Sequence, residues 1–86
     1  MPDYQVVLAR SAERDLRNLP SQIQDRVMAV IGRLANNPRP RGVKKLRGGH
    51  HLWRLRVGDY RVIYEIQDQR HVVDVSHVRH RREAYE

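Results

Sequence analysis

The sequence predicts an α+β domain of order β-α-α-β-β-β, a mostly antiparallel four-stranded sheet with a helical hairpin on one face. Three observations predict it. Two apolar stripes at helical spacing fill the segment from Ser11 to Asn36. Period-two alternation of apolar and polar side chains takes over from Trp53. Between two such alternating runs, Gly58-Asp59 fits a two-residue hairpin turn.

Taking the elements in order, "DYQVVLA" is a short Val-containing run that ends at Arg10 and suits a strand. In "SAERDLRNLP", Ser11 can cap a helix, Glu13 suits the positive end of its dipole, Leu16 and Leu19 share a face with Ala12, and Pro20 stops it. "SQIQDRVMAVIGRLANNP" restarts at once, with Ser21 and Gln24 at capping-box spacing and one stripe of Ile23, Val27, Val30, Ile31 and Leu34. So short a break predicts that the two helices pair antiparallel and bury their stripes.

Residues 38 to 50, "PRPRGVKKLRGGH", hold two prolines, three glycines and five Lys or Arg side chains, and they read as an extended connector. Beyond it Trp53, Leu55 and Val57 alternate with Arg54 and Arg56. "YRVIYEI" returns from the turn as the next strand, and "HVVDVSHV" follows a polar turn at Gln67 to Arg70 as the last.

Eighty-six residues make one domain, 1–86, too small for a deep substrate cavity or a separate cofactor domain. Function is therefore expected on an exposed face or in a shallow groove. Seventeen Lys+Arg against ten Asp+Glu leave a formal charge of +7, which favours a polyanionic partner such as nucleic acid. The basic residues cluster in 39 to 61 and 77 to 82. With no cysteine there is neither a disulfide framework nor a thiolate metal site. No apolar run approaches a membrane span and no signal-peptide core follows Met1, so a cytoplasmic protein with no membrane partner is expected.

The chemistry concentrates on arginine. Arg54 and Arg56 lie two apart, so they share one strand face, opposite to Trp53 and Leu55. Across the two-residue turn Arg61 faces Arg56, and like charges placed opposite each other are destabilising. An anionic ligand explains such a cluster better than stability does. Arginine offers a planar, bidentate fork for phosphate and holds its proton at ordinary pH, so it can bind and neutralise but is a poor proton shuttle. The ending "HVRHRREAYE" supplies what the arginines lack: His80 brings an imidazole, the side chain most used for proton transfer, Tyr85 brings a hydroxyl and a stacking ring, and Arg79, Arg81 and Arg82 add charge.

Other constellations are weaker. His50, His51, His77 and His80 show no metal-ligand pattern, because 77 and 80 point to opposite faces of one strand and no acidic helper is placed near them; no metal is expected. Ser11, Ser21 and Ser76 have no nucleophile-elbow context. Gly48-Gly49 lacks the Lys and Ser of a phosphate-binding loop.

"KKLRGGHHLWRLRVGDYRVIYEI" followed by "VVDVSHVRHRREAY" resembles the RelE/ParE superfamily of bacterial toxins, on its RelE branch. The similarity covers nearly the whole chain and rests on the order and spacing of the pieces. It implies a RelE-like, microbial-RNase-like fold and a toxin of a type II toxin-antitoxin system. The implied activity is metal-independent, cofactor-free endonucleolytic cleavage of mRNA in the ribosomal A site. The implied partners are mRNA on the ribosome, a cognate antitoxin, and DNA only indirectly through the antitoxin complex.

By the same resemblance Arg54 and Arg56 match the basic pair on strand two, Arg61 the arginine beginning strand three, Arg81 the arginine after strand four, and Tyr85 the terminal tyrosine. His80 falls where relatives of the YoeB type place a histidine. The expected catalytic set is thus Arg61, Arg81, Tyr85 and His80. Arg54, Arg56, Lys44, Lys45, Arg47, Arg79 and Arg82 are expected to bind substrate. Arginines stand on strand two where the best-known RelE pattern has lysines. Two alternatives stay open: a ParE-like inhibitor of DNA gyrase, and an inactive RNA- or antitoxin-binding module.

Overall fold

The first and last strands are neighbours. In the computed structural model, which describes residues 3–46 and 51–82, β1 (Gln5–Leu8) runs parallel to β5 (Val72–His80), with Gln5 opposite Val72 and Leu8 opposite Val75. Between them in sequence come α1 (Arg10–Arg17), α2 (Ser21–Arg33), β2 (Lys44–Lys45), β3 (Leu52–Val57) and β4 (Tyr60–Gln67). The sheet order is β1-β5-β4-β3-β2, and every pairing except β1 with β5 is antiparallel.

The sheet therefore has five strands, not four. The extra one is the pair Lys44–Lys45, which lies inside the predicted connector and pairs with Arg54 and Trp53 of β3. Two residues are too few to show a period, so nothing in the local pattern marks them as a strand.

One face of the sheet carries the core. Ala12 and Leu16 of α1 and Val27, Ile31 and Leu34 of the second helical run meet Leu55, Val62, Tyr64, Ile66, Val73, Val75 and Val78. Burying each larger side chain contributes about 1.5–3 kcal/mol before entropy is counted. Leu19, Ile23, Val30, Trp53 and Val57 pack at the margin. The fully buried Tyr64 donates its hydroxyl to the Pro38 carbonyl at 2.7 Å, and burial pushes its phenol up to about 12.

The helices begin differently from the sequence expectation. α1 starts at Arg10 after Ala9, and the Ser11 hydroxyl donates to the Ser76 carbonyl at 2.6 Å rather than capping its own helix. α2 starts at Ser21 with Pro20 as its flanking residue, and no capping box forms. Gln24 instead reaches back with Nε2 to the Leu16 carbonyl at 3.0 Å, joining the two helices. In both places a tertiary partner takes the side chain that local spacing assigned to a cap.

At the far end of the sheet Arg39 grips Asp68 through two hydrogen bonds, 2.7 and 3.2 Å, and Tyr4 donates to the same carboxylate at 2.6 Å. The Arg39 guanidinium also lies 5.1 Å from the Trp53 ring centroid. These contacts fasten the segment after α2 to β3, to the β4–β5 turn and to the residues before β1.

Candidate functional site

The sheet face away from the helices gathers the cations. Successive side chains of a strand point to opposite faces, so Arg54, Arg56 and Arg61 point opposite to the buried Leu55 and Val62. Register places Arg56 opposite Arg61 and Arg61 opposite Arg79, while Lys44 stands opposite Arg54. Gly42, Lys44, Arg54, Arg56 and Arg61 line one cleft of about 210 Å³.

Burial and the charges of Arg56, Arg54 and Arg81 lower the Arg61 pKa, and Asp59 partly opposes them. Arg81 is therefore electrostatically part of the group although it follows β5. The guanidinium stays protonated at ordinary pH. The like charges of Arg56, Arg54 and Arg81 around it are relieved by an incoming anion.

The β3–β4 turn holds the cations in place. Gly58 takes φ of 59° at the first turn position, a conformation that glycine adopts without strain. Its carbonyl accepts from Arg56 Nε at 3.1 Å. The Asp59 carbonyl accepts from the Arg81 backbone N–H at 2.7 Å, and the Tyr60 carbonyl from Arg61 Nη1 at 3.2 Å. Three successive carbonyls thus anchor three of the predicted arginines. The sequence showed the turn but not this use of its main chain, because backbone acceptors carry no residue-type signal.

His80 does not join them. A register shift between Ile63 and Tyr64 pairs Ile63 with His77 but Tyr64 with Val75, so one β5 residue is extra. The bulge changes the phase of alternation: Val73 and Val75 are buried before it, Val78 after it. Arg79 consequently falls opposite Arg61, and His80 falls opposite Tyr60 with the two rings edge to face at 5.3 Å. Its Nδ1 accepts the Arg82 N–H at 3.3 Å. The phase change thus sets His80 apart from the arginines it was expected to join, on the side of the sheet where Asp15, Asn18 and Leu19 lie.

The remaining predicted residues divide. Arg79 Nη2 lies 3.2 Å from His77 Nδ1, and Asp15 Oδ2 lies 3.5 Å from the same nitrogen, so an acid does stand beside one of the histidines. Lys45 turns to the Trp53 ring, with Nζ 6.0 Å from its centroid, and leaves the cleft to Lys44. Arg82 is exposed just beyond β5. Arg47 and Tyr85 lie outside the described residues. Among the described residues no three His, Asp or Glu side chains are grouped to hold a metal ion, and no helix is long and apolar enough to cross a membrane.

Chemically, the cleft can hold and neutralise a phosphate.

Comparison with known proteins follows the same outline. The family model described as "ParE toxin of type II toxin-antitoxin system, parDE" matches residues 6–85. The chain is 42% identical over 84 residues to Toxin RelE of Mycobacterium tuberculosis, covering 95% of this chain and 86% of that one. It is 29% identical over 85 residues to Toxin RelE3 of Methanocaldococcus jannaschii, covering 94% of each. Among solved structures, the toxin-antitoxin complex RelBE2 from Mycobacterium tuberculosis aligns with TM-score 0.81 and 34% identity over 93% of this chain and 99% of that one. The archaeal RelE-RelB complex from Pyrococcus horikoshii aligns with TM-score 0.82 and 31% identity over 95% and 99%.

Proposed function

The chain belongs to the RelE/ParE family of toxins from type II toxin-antitoxin systems, and from that premise we propose that it is a metal-independent endoribonuclease that cuts mRNA in the ribosomal A site. The observation that carries the reading is the cleft shared by Lys44, Arg54, Arg56 and Arg61, with Arg81 in its field. In the proposed reaction a ribose 2′-oxygen attacks the adjacent phosphorus as its proton leaves. The bond to the 5′-oxygen breaks, and that oxygen takes up a proton. The products are a 2′,3′-cyclic phosphate and a free 5′-hydroxyl.

Such a reaction needs in-line positioning, neutralisation of charge on the phosphate, and two proton transfers. Arg61 and Arg81 neutralise the phosphate, and Arg54, Arg56 and Lys44 orient the strand. Tyr85 is the proposed group for stacking or proton transfer. The whole chain, 1–86, acts as one domain in the cytoplasm. A cognate antitoxin holds it inactive, as the RelB-bound relatives suggest, and DNA is reached only through that complex.

The test is purified protein on mRNA-programmed ribosomes, run beside a gyrase supercoiling assay. Cleavage with cyclic phosphate ends, unaffected by a chelator when free magnesium is buffered, supports the reading. Loss of supercoiling without cleavage supports the second reading, a ParE-like gyrase inhibitor; ParE is the toxin that the matching family model is named for.

A further inference from the structure

On the helix side of the sheet, at the same end as the arginines, lies a crevice of about 260 Å³ lined by Asp15, Asn18, Leu19, Tyr60, Val78 and His80. Consecutive residues of paired strands put it there. Arg61 pairs with Arg79 on the open face, and the next pair, Tyr60 with His80, turns its two rings to the other side. The proposed phosphate site and this ring-lined crevice are therefore two sides of one sheet end.

The crevice has unused hydrogen-bonding capacity. Asp15 Oδ2 accepts the Val78 N–H at 3.0 Å, while Oδ1 has no hydrogen-bond partner among the described residues. The Asn18 side-chain amide and the Tyr60 hydroxyl also make no hydrogen bond to a described residue. His80 is held through Nδ1 by the Arg82 N–H, and its Nε2 makes no hydrogen bond to a described residue. Leu19 and Val78 add apolar wall.

These groups select their occupant. A carboxylate at the wall repels phosphate, so the crevice does not extend the anion site. Two aromatic rings, an apolar wall, an amide and a carboxylate acceptor suit a flat heterocycle with an N–H edge. The volume is below the ~300–1,000 Å³ of drug-sized ligand sites and admits one ring system. Proteins that hold single strands combine a cationic track for the backbone with rings for the bases. We propose that this crevice is a nucleobase site, taking a base of the strand whose phosphate the arginines hold. The proposal rests on the reading of the arginine face as an RNA site.

The experiment is an NMR titration of the full chain with three probes: inorganic phosphate, ribose 5-phosphate, and the four 3′-mononucleotides. All three should shift signals of Arg54, Arg56 and Arg61. Mononucleotides alone should also shift Asn18, Leu19 and Val78 and the rings of Tyr60 and His80. Asn18→Leu, at an exposed helix end, should preserve the spectrum of the fold and the phosphate-induced shifts. It should weaken the base-dependent shifts roughly fivefold, the effect of losing about one hydrogen bond. If mononucleotides shift no more signals than ribose 5-phosphate, or if Asn18→Leu leaves their binding unchanged, the crevice is not a base site. Ribosomal cleavage is scored separately. Base-dependent shifts in a protein that cuts nothing would remove the endonuclease reading and leave the base site standing.

Discussion

At Arg61, burial and the neighbouring guanidinium groups of Arg56, Arg54 and Arg81 all work against the charged form. The repulsion is present in the free protein and is relieved when an anion enters. Arg61→Ala should therefore leave the unfolding free energy within about 0.5 kcal/mol of the parent, as surface substitutions typically do. Cleavage on programmed ribosomes should fall roughly a hundredfold or more, the usual loss when a transition-state donor is removed. Urea midpoints and single-turnover rates on the same preparations test both halves. Asp68 shows the opposite electrostatics: hydrogen bonds from Arg39 first and Tyr4 second hold its carboxyl down at about 2, from an ordinary value of 3.8. A folded-state pKa below the unfolded one contributes stability above the unfolded value and loses it as pH falls through the folded value. Urea midpoints should thus decline between pH 3.8 and about 2, and Asp68→Asn should flatten that part of the decline.

The β3–β4 hairpin is the element on which the arginine geometry depends. Gly58 sits at φ 59°, so Gly58→Ala should cost about 1 kcal/mol in a urea titration, the penalty for a side chain in left-handed backbone. The substitution should also disturb the carbonyl that Arg56 uses. On β4 the buried Tyr64 phenol is raised to about 12 from 10.0, so its contribution is complete below pH 10.0 and falls away as pH rises toward 12. Much of this element's structure was legible in the sequence: Gly58-Asp59 and the flanking alternation give the register, and the register puts Arg56 against Arg61. The β5 bulge was legible only in outline. In "VVDVSHV" the apolar residues Val73, Val75 and Val78 fall out of phase, which marks an inserted residue, but a reading without the phase change puts His80 on the wrong face. Two features had no local signal. A two-residue β2 has no period, and nothing in "DYQVVLA" states that its partner is the last strand. The caps failed for a related reason, since Ser11 and Gln24 found partners remote in sequence.

Across the molecule, the +7 charge is not spread evenly over the open face. Arg56, Arg61 and Arg79 lie at the hairpin end, whereas Glu65 pairs with Asp74 toward the other end of the same strands. A polyanion is thereby drawn to one end of the sheet and repelled from the other. Ribosome association should weaken steeply as potassium rises, and Arg54→Ala or Arg56→Ala should each lower the logarithmic salt slope by about one while weakening binding. A flat dependence would contradict the electrostatic account. The parallel pairing of β1 with β5 has a consequence for timing. During synthesis β1 leaves the ribosome before the other four strands and waits for β5, made after them, and β5 also brings Arg79 and the core residues Val73, Val75 and Val78. A nascent chain that has not yet exposed β5 has neither a closed core nor a complete cationic face. The fold and its cationic face are therefore completed together, by one pairing event between strands at opposite ends of the element order.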